Sequence, residues 1–181
     1  MTENLKQSQK KSPRQVAKRD EKYMSLAFCI AYLFSKDPDT QVGAVLVGPN
    51  NMPRGWGFNG PPRNIDDNDI DWNRPFKYSK IIHAEINAIR HSFLSAGEDL
   101  GDATMYVTAP PCEKCMLEMA MWGIGRIVYF ASTPKEGSSI NKESFEKVQE
   151  IADMSKIKLE KFTGKLKSIY KLILLMDNNP D

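Results

Sequence analysis

The sequence of 181 residues contains only three cysteines, two histidines and no long apolar run. Three cysteines cannot form a disulfide framework, and the close pair at Cys112 and Cys115 is more typical of a metal or redox site in a reducing compartment. No apolar stretch approaches the ~18 residues that a membrane-spanning helix needs. The polar start, MTENLKQSQKK, also lacks the apolar centre of a signal peptide. We therefore expect a cytoplasmic protein with no membrane partner.

An excess of charge of one sign is also missing, because 25 basic residues nearly balance 23 acidic ones and leave a formal net charge of +2. Nucleic acid is therefore not an expected partner, since its binding requires a clustered basic surface. The one basic cluster precedes residue 23, and we interpret residues 1–22 as a solvated, partly mobile arm. The length and the hydrophobic fraction of 41% fit one globular domain, which we place at residues 23–181.

Hydrophobic patterning predicts that helices and strands alternate after the arm. Residues 63–80 are polar and predicted to be irregular, and the apolar segment 166–176 has no clear period. The alternation with short links predicts an α/β fold, a three-layer α/β/α sandwich with a central mixed five-stranded sheet. The predicted helices cover 23–34, 83–94, 113–121 and 142–154, and the predicted strands cover 41–48, a part of 50–62, 103–109, 126–130 and 157–162.

Two short motifs place metal-binding side chains at the starts of two predicted helices. The first, HAEINAI at 83–89, begins with His83, and the second, PPCEKC at 110–115, contains Cys112 and Cys115. One imidazole and two thiolates form a ligand set of catalytic Zn²⁺, whose fourth position stays open for water. The partial positive charge at helix N-termini also favours deprotonated thiols. The spacing therefore predicts a zinc site shared by both motifs.

Glu85 is the candidate catalytic residue of this site. Two positions after His83 at a helix start, its carboxylate can face the open coordination position without binding the metal. Zinc lowers the pKa of its bound water to about 7. A nearby carboxylate can then accept the proton of that water and return it to a ring nitrogen and to a departing amino group. H-x-E followed by P-C-x-x-C is a signature of zinc deaminases, so the pattern predicts hydrolytic deamination.

The alternative interpretations of the cysteine pair are a redox couple and a structural zinc site with four ligands. A fourth ligand would have to be Cys29 or His91. Cys29 lies among apolar neighbours in a predicted helix and is more typical of a core residue. His91 lies about two helical turns beyond His83, too far along the helix to share its metal. An inactive zinc-binding module is a further alternative, and the presence of Glu85 argues against it.

Having these motifs, the chain resembles the cytidine and deoxycytidylate deaminase family, most closely its deoxycytidylate (dCMP) branch. The resemblance covers roughly residues 23–162 and implies the cytidine deaminase-like fold, Zn²⁺ bound by the ligand set above and Glu85 as the proton carrier. Similar passages are SKDPDTQVGAVLV at 35–47, GWGFNGPP at 55–62 and KYSKIIHAEINAI at 77–89.

The resemblance also implies a substrate and partners. The implied reaction converts dCMP and water into dUMP and ammonia, with Asn59, Ala84 and Pro110 contacting the substrate and Asn59 reaching its sugar. Family members are often homo-oligomers, with a hexamer favoured, and many are regulated by a deoxynucleoside triphosphate effector bound near the Gly-rich loop.

Two places depart from the pattern of the dCMP branch. Phe34 stands where the branch tends to carry an Arg that can meet the substrate phosphate, and ASTPKEGSS at 131–139 stands where it often has an aromatic residue. The alternative substrates are a nucleoside, a modified nucleotide, or a base in tRNA or single-stranded nucleic acid. The other cations considered for the phosphate, each also interpretable as a solvated surface residue, are Lys36, Arg54, Arg63, Lys77 and Lys135.

Overall fold

The computed structural model describes residues 12–95, 100–130 and 142–166. The predictions for residues 1–11, for 131–139 with Lys135, and for the apolar segment beyond residue 166 lie outside these ranges. Among the described residues, no helix combines the length and apolarity needed to cross a membrane. The helices and strands are α1 (Pro13–Phe34), β1 (Gly43–Val47), β2 (Pro53–Phe58), α2 (Ala84–Ser95), β3 (Thr104–Val107), α3 (Glu113–Met121), β4 (Arg126–Tyr129), α4 (Lys142–Ser155) and β5 (Lys158–Lys161).

The five strands form one mixed sheet in the order β2-β1-β3-β4-β5. β1 pairs antiparallel with both β2 and β3, whereas β4 pairs parallel with β3 and β5. Each parallel pair is joined through a helix, α3 in one case and α4 in the other, as parallel strands require. The predicted mixed five-stranded sheet is confirmed.

The strands present alternate side chains to two helical layers, as the two-residue period of a strand dictates. On one face, Leu46, Met105 and Ile127 are fully buried in a cluster with residues of α2, α3 and α4. On the other face, Val45 and Tyr106 are fully buried in a cluster with residues of α1. The predicted three-layer α/β/α sandwich is therefore confirmed in the described part of the chain.

Helix α1 is longer than predicted, because it begins at Pro13 and not at residue 23. Ser12 and Gln15 form a reciprocal capping box, and Pro13 occupies the first turn, where its missing N–H costs nothing. This Ser-Pro-x-Gln pattern was the signal that sequence reasoning missed. Residues 13–22, assigned to the basic arm from the sequence, are therefore helical.

Strand β2 and helix α2 approach closely through two glycines, and this contact positions the start of α2. A Cβ atom at Gly57 would lie 2.4 Å from the carbonyl oxygen of Ala84, and one at Gly55 would lie 2.2 Å from that of Ala88. Real Cβ atoms do not come so close, so a side chain at either position would push the helix away from the sheet.

Candidate active site

The two predicted motifs meet at the N-termini of α2 and α3. His83 immediately precedes α2, and Cys112 is the N-cap residue of α3. Cys115 lies in the first turn of α3 and is 1% exposed. The backbone before His83 is fixed by a bridge in which Gly60 N–H donates to Ile82 O at 3.1 Å and Ile82 N–H donates to Gly60 O at 2.9 Å.

The three candidate ligands are close enough to share one metal ion. Nδ1 of His83 lies 3.4 Å from Sγ of Cys112 and 3.4 Å from Sγ of Cys115. All three donor atoms lie within 4.8 Å of one another. Tetrahedral Zn²⁺ with its usual Zn–S and Zn–N bond lengths separates such ligand atoms by about 3.5–3.8 Å. The donor set and its spacing therefore fit zinc, and the structure brings the three predicted ligands together.

The pKa values of the two cysteine thiols shift in opposite directions. A hydrogen bond from the Cys115 thiol, aided by His83, lowers the pKa of Cys112 to about 4, although burial alone would raise it. The pKa of Cys115 is raised, because its thiol donates to Cys112 and because it is buried. The hydrogen bond with Cys112 in turn raises the pKa of His83. A bound divalent cation displaces such shared protons, so metal affinity should increase with pH.

Glu85 lies beside these ligands in the first turn of α2 and is 3% exposed. Burial raises its pKa, and this effect outweighs the opposite influence of His83. A carboxyl group that must accept a proton and return it within one turnover works best when its pKa lies near the working pH. The position and the burial of Glu85 therefore suit the proton transfer predicted from the sequence.

Comparison with known proteins agrees with this geometry. Residues 17–131 match the family model described as the cytidine and deoxycytidylate deaminase zinc-binding region. The deoxycytidylate deaminase of Pongo abelii is 30% identical over 155 residues, which are 82% of this chain and 82% of that protein. The chain belongs to the cytidine and deoxycytidylate deaminase family. This membership, together with the three converging donors, confirms the predicted family and zinc cofactor.

Other relatives of this deaminase agree with this family assignment. Human deoxycytidylate deaminase is 34% identical over 117 residues, which are 61% of this chain and 64% of the human protein. A crystal structure of the dCMP deaminase from cyanophage S-TIM5 in complex with dCMP and dUMP superposes with a TM-score of 0.62 at 21% identity. It covers 84% of this chain and 99% of the phage protein. At that identity, the superposition supports the fold alone.

The three predicted substrate contacts of the deaminase lie on segments that adjoin the metal-binding group or pair with its flanking backbone. Ala84 follows His83 directly, but its side chain is fully buried in the core, so only its main chain could meet a substrate. Pro110 is half-buried in the segment between β3 and α3. Asn59 lies directly after β2, beside the Gly60 bridge. The substrate-binding roles of these residues remain predictions.

Asn59 has extensive partners inside the protein. Its Oδ1 accepts hydrogen bonds from Ser35 Oγ at 2.7 Å and from Val42 N–H at 2.8 Å. Its Nδ2 donates to Thr40 O at 2.8 Å and to Asp37 Oδ2 at 3.5 Å. The residue is 6% exposed, and its amide has used its two donors and its two acceptor lone pairs. A sugar contact through this amide would have to replace one of these bonds.

Phe34 of this deaminase belongs to an aromatic cluster with Trp56 and Phe58. Phe34 ends α1, is 44% exposed, and has its ring centroid 5.1 Å from that of Trp56 and 5.7 Å from that of Phe58. Phe34 therefore supplies no charge for a substrate phosphate.

Of the cations considered for that phosphate, Lys77 differs most from its predicted environment. The interpretation of Lys77 as a solvated surface residue is wrong, because it is 2% exposed and its Nζ lies 2.8 Å from Asp37 Oδ1. Lys36 is exposed but paired with Asp67. Arg63 is exposed. A lysine in a polar loop gives no signal in the sequence that its charge will be buried.

Proposed function

We propose that this family member catalyses the zinc-dependent hydrolytic deamination of a deoxycytidine nucleotide, most specifically of dCMP to dUMP and ammonia. The observation that carries this proposal is the convergence of His83, Cys112 and Cys115 beside the buried carboxyl group of Glu85. The choice of dCMP is supported by relatives named deoxycytidylate deaminase.

The reaction replaces an amino group by an oxygen atom at C4 of the pyrimidine. Zn²⁺ held by His83, Cys112 and Cys115 would supply a Lewis acid that acidifies water at neutral pH. Glu85 accepts a proton from the attacking water and delivers it to N3 of the ring. It then transfers the second proton of the water to the amino group, which leaves as ammonia. The net reaction converts dCMP and water into dUMP and ammonia, and Glu85 returns to its starting protonation state.

The surroundings of Glu85 favour this double role. Because the carboxyl group is buried, its neutral form is favoured relative to an exposed glutamate, so it holds a proton between the two transfers. Its place in the first turn of α2, two residues after His83, keeps it beside the metal ligands throughout.

The substrate assignment is tested by an ammonia-release assay with zinc analysis of the same preparation. The panel contains cytosine, cytidine, dCMP, dCTP, adenosine and 5-substituted dCMP, with single-stranded DNA and tRNA as polymeric alternatives. We expect the highest kcat/KM for dCMP. Preferred turnover of a nucleoside or a polymer would contradict the nucleotide assignment, and the absence of zinc from active enzyme would contradict the mechanism.

We also propose that the enzyme is a homo-oligomer, a hexamer if it follows the family resemblance. The outer surfaces of α2 and α3 expose Leu94, Leu117 and Met121 at 76%, 57% and 78%. The rings of Phe93 and Trp122 pack against each other beside them, tilted, with ring centroids 4.5 Å apart. An apolar surface of this kind is typical of an interface.

A groove on this surface is lined by Phe93 and Trp122 and also by a basic and an acidic side chain, Arg90 and Glu118. A second copy related by a two-fold axis could set each of them against its opposite, which favours self-association. Light scattering should therefore give a mass above that of one chain, and Leu117→Glu should lower it. A wild-type monomer would contradict the proposal.

Regulation by a deoxynucleoside triphosphate is proposed from the resemblance alone. Addition of dCTP or dTTP should change the dependence of the rate on dCMP concentration, and an unchanged curve would contradict this regulation.

A cytoplasmic location is proposed because Cys112 and Cys115 must stay reduced to bind a metal. Fractionation of the source cells tests it.

A further inference from the structure

Lys77, in the loop between β2 and α2, forms a buried ion pair with Asp37 in the passage after α1, and the proposed mechanism does not use this pair. Lys77 lies in a short 3-10 helix, Phe76–Ser79. Its Nζ is 2.8 Å and 2.9 Å from the two carboxylate oxygens of Asp37, and the two side chains are 2% and 3% exposed. The Asp39 carboxylate lies 3.5 Å from the same Nζ. A lysine has three N–H donors, and these carboxylates offer a partner to each of them.

Asp37 links Lys77 to the turn that holds Asn59. Asp37 Oδ1 also accepts the backbone N–H groups of Asp39 and Thr40, both at 3.0 Å. Asp37 Oδ2 lies 3.5 Å from Nδ2 of Asn59, the group that also donates to the carbonyl oxygen of Thr40 at 2.8 Å. One carboxylate therefore connects the passage after α1, the end of β2 and the loop before α2.

The loop held by Lys77 leads directly to the metal-binding group. Five residues after Lys77, Ile82 forms the backbone bridge to Gly60, and the next residue is His83. Gly60 in turn follows Asn59. The loop is therefore held at two points, by the ion pair of Lys77 with Asp37 in the passage after α1 and by the bridge of Ile82 with Gly60 next to the end of β2. Loss of the ion pair would leave the bridge beside His83 without this second attachment.

We propose that Lys77 is a positioning residue of the deaminase site. Its ion pair with Asp37 holds the Asn59 turn and the loop before His83 in place, and it contributes no charge to the binding of a substrate phosphate. The effect on turnover rests on the proposed function, whereas the effect on the loop does not.

The test compares Lys77→Met with Lys80→Met. Lys80 is an exposed lysine of the same loop, so its substitution removes the same charge without burial. Hydrogen exchange at the Gly60 and Ile82 amides should become faster by about tenfold or more in Lys77→Met, because a buried charge is left unpaired. The kcat for dCMP should fall while the zinc content is kept. Lys80→Met should change none of these quantities.

The double variant Asp37→Asn with Lys77→Met leaves no unpaired buried charge. Its exchange at Gly60 and Ile82 should lie between those of wild type and Lys77→Met. If Lys77→Met does not fold, the double variant carries the test, because the proposal requires it to fold and to exchange faster than wild type.

Two results would overturn the proposal. One is wild-type exchange at Gly60 and Ile82 in Lys77→Met or in the double variant. The other is a higher KM for dCMP in Lys77→Met with unchanged kcat and unchanged exchange, which would identify a phosphate ligand. A wild-type enzyme inactive on every nucleotide would instead refute the proposed function, and the exchange data would still decide the role of Lys77.

Discussion

Asp20→Asn tests whether the first half of α1 is part of the folded domain. The Asp20 carboxylate accepts hydrogen bonds from Arg126 Nη1 at 2.8 Å, Arg126 Nη2 at 2.7 Å and the Tyr106 hydroxyl at 2.7 Å. Breaking a buried pair of this kind costs about 3–5 kcal/mol of unfolding free energy. Asparagine keeps one acceptor oxygen, and Arg126 keeps Glu160 at 2.5 Å, so we expect a loss near the lower limit, about 3 kcal/mol.

The same carboxylate predicts how the loss depends on pH. Burial raises the pKa of Asp20, but the hydrogen bonds from Arg126 and Tyr106 outweigh it, and the net pKa is lowered. A lowered pKa contributes stability above the unfolded-state value of about 3.9, and this contribution is lost as the pH falls through the folded-state value. The difference between wild type and Asp20→Asn should therefore be complete at pH 7 and shrink below about pH 4.

Urea denaturation of both proteins at pH 7 and pH 3.5 measures this difference. Glu21→Gln is the matched control, because Glu21 is the next carboxylate on the same helix and is half-buried. It should change the unfolding free energy by no more than about 0.5 kcal/mol. Wild-type stability of Asp20→Asn at pH 7, or a difference in unfolding free energy that grew at pH 3.5, would contradict the stabilising role of the Asp20 carboxylate.

Three further predictions concern the surroundings of the site. Gly57→Ala should lower the unfolding free energy by about 1–3 kcal/mol, because the added Cβ would lie 2.4 Å from the backbone of α2. Gly60→Ala, which meets only a flexible ring at 3.4 Å, should cost less in the same urea titration. Cys112→Ala should purify with less zinc, and a chelator should lower the Tm of wild type but not of this variant. Phe34→Ala should remove the ring contacts with Trp56 and Phe58, at a cost of about 0.5–1.5 kcal/mol, and leave the KM for dCMP unchanged; a raised KM would contradict this.

Much of the fold could be predicted from the sequence, because local patterns determine most of its elements. The helix predicted at 113–121 has the observed bounds of α3. The start of α1 was missed because residues 13–22 are mostly polar, and only the Ser12 capping box marks it. The strand order depends on contacts between distant segments, which no local pattern specifies.

The metal-binding group was predictable for a similar reason. His83 and the cysteine pair each belong to a short motif at a helix start, so their roles follow from local spacing. The partners of Asn59 and the burial of Lys77 do not follow, since the Lys77–Asp37 bond joins residues 40 positions apart in the chain. Such pairs become visible only after the chain has folded.

We propose that one metal ion is held by His83, Cys112 and Cys115 and that Glu85 moves the protons of the reaction. Glu85→Gln separates these two roles, since the amide has nearly the same shape but cannot take part in the proton transfer. Zinc content and ammonia release from dCMP are measured on the same samples of wild type and variant. We predict one zinc per chain in both proteins and a rate lower by about 10²–10⁴-fold in the variant. Equal rates in the two proteins, or wild-type activity without zinc, would contradict these roles.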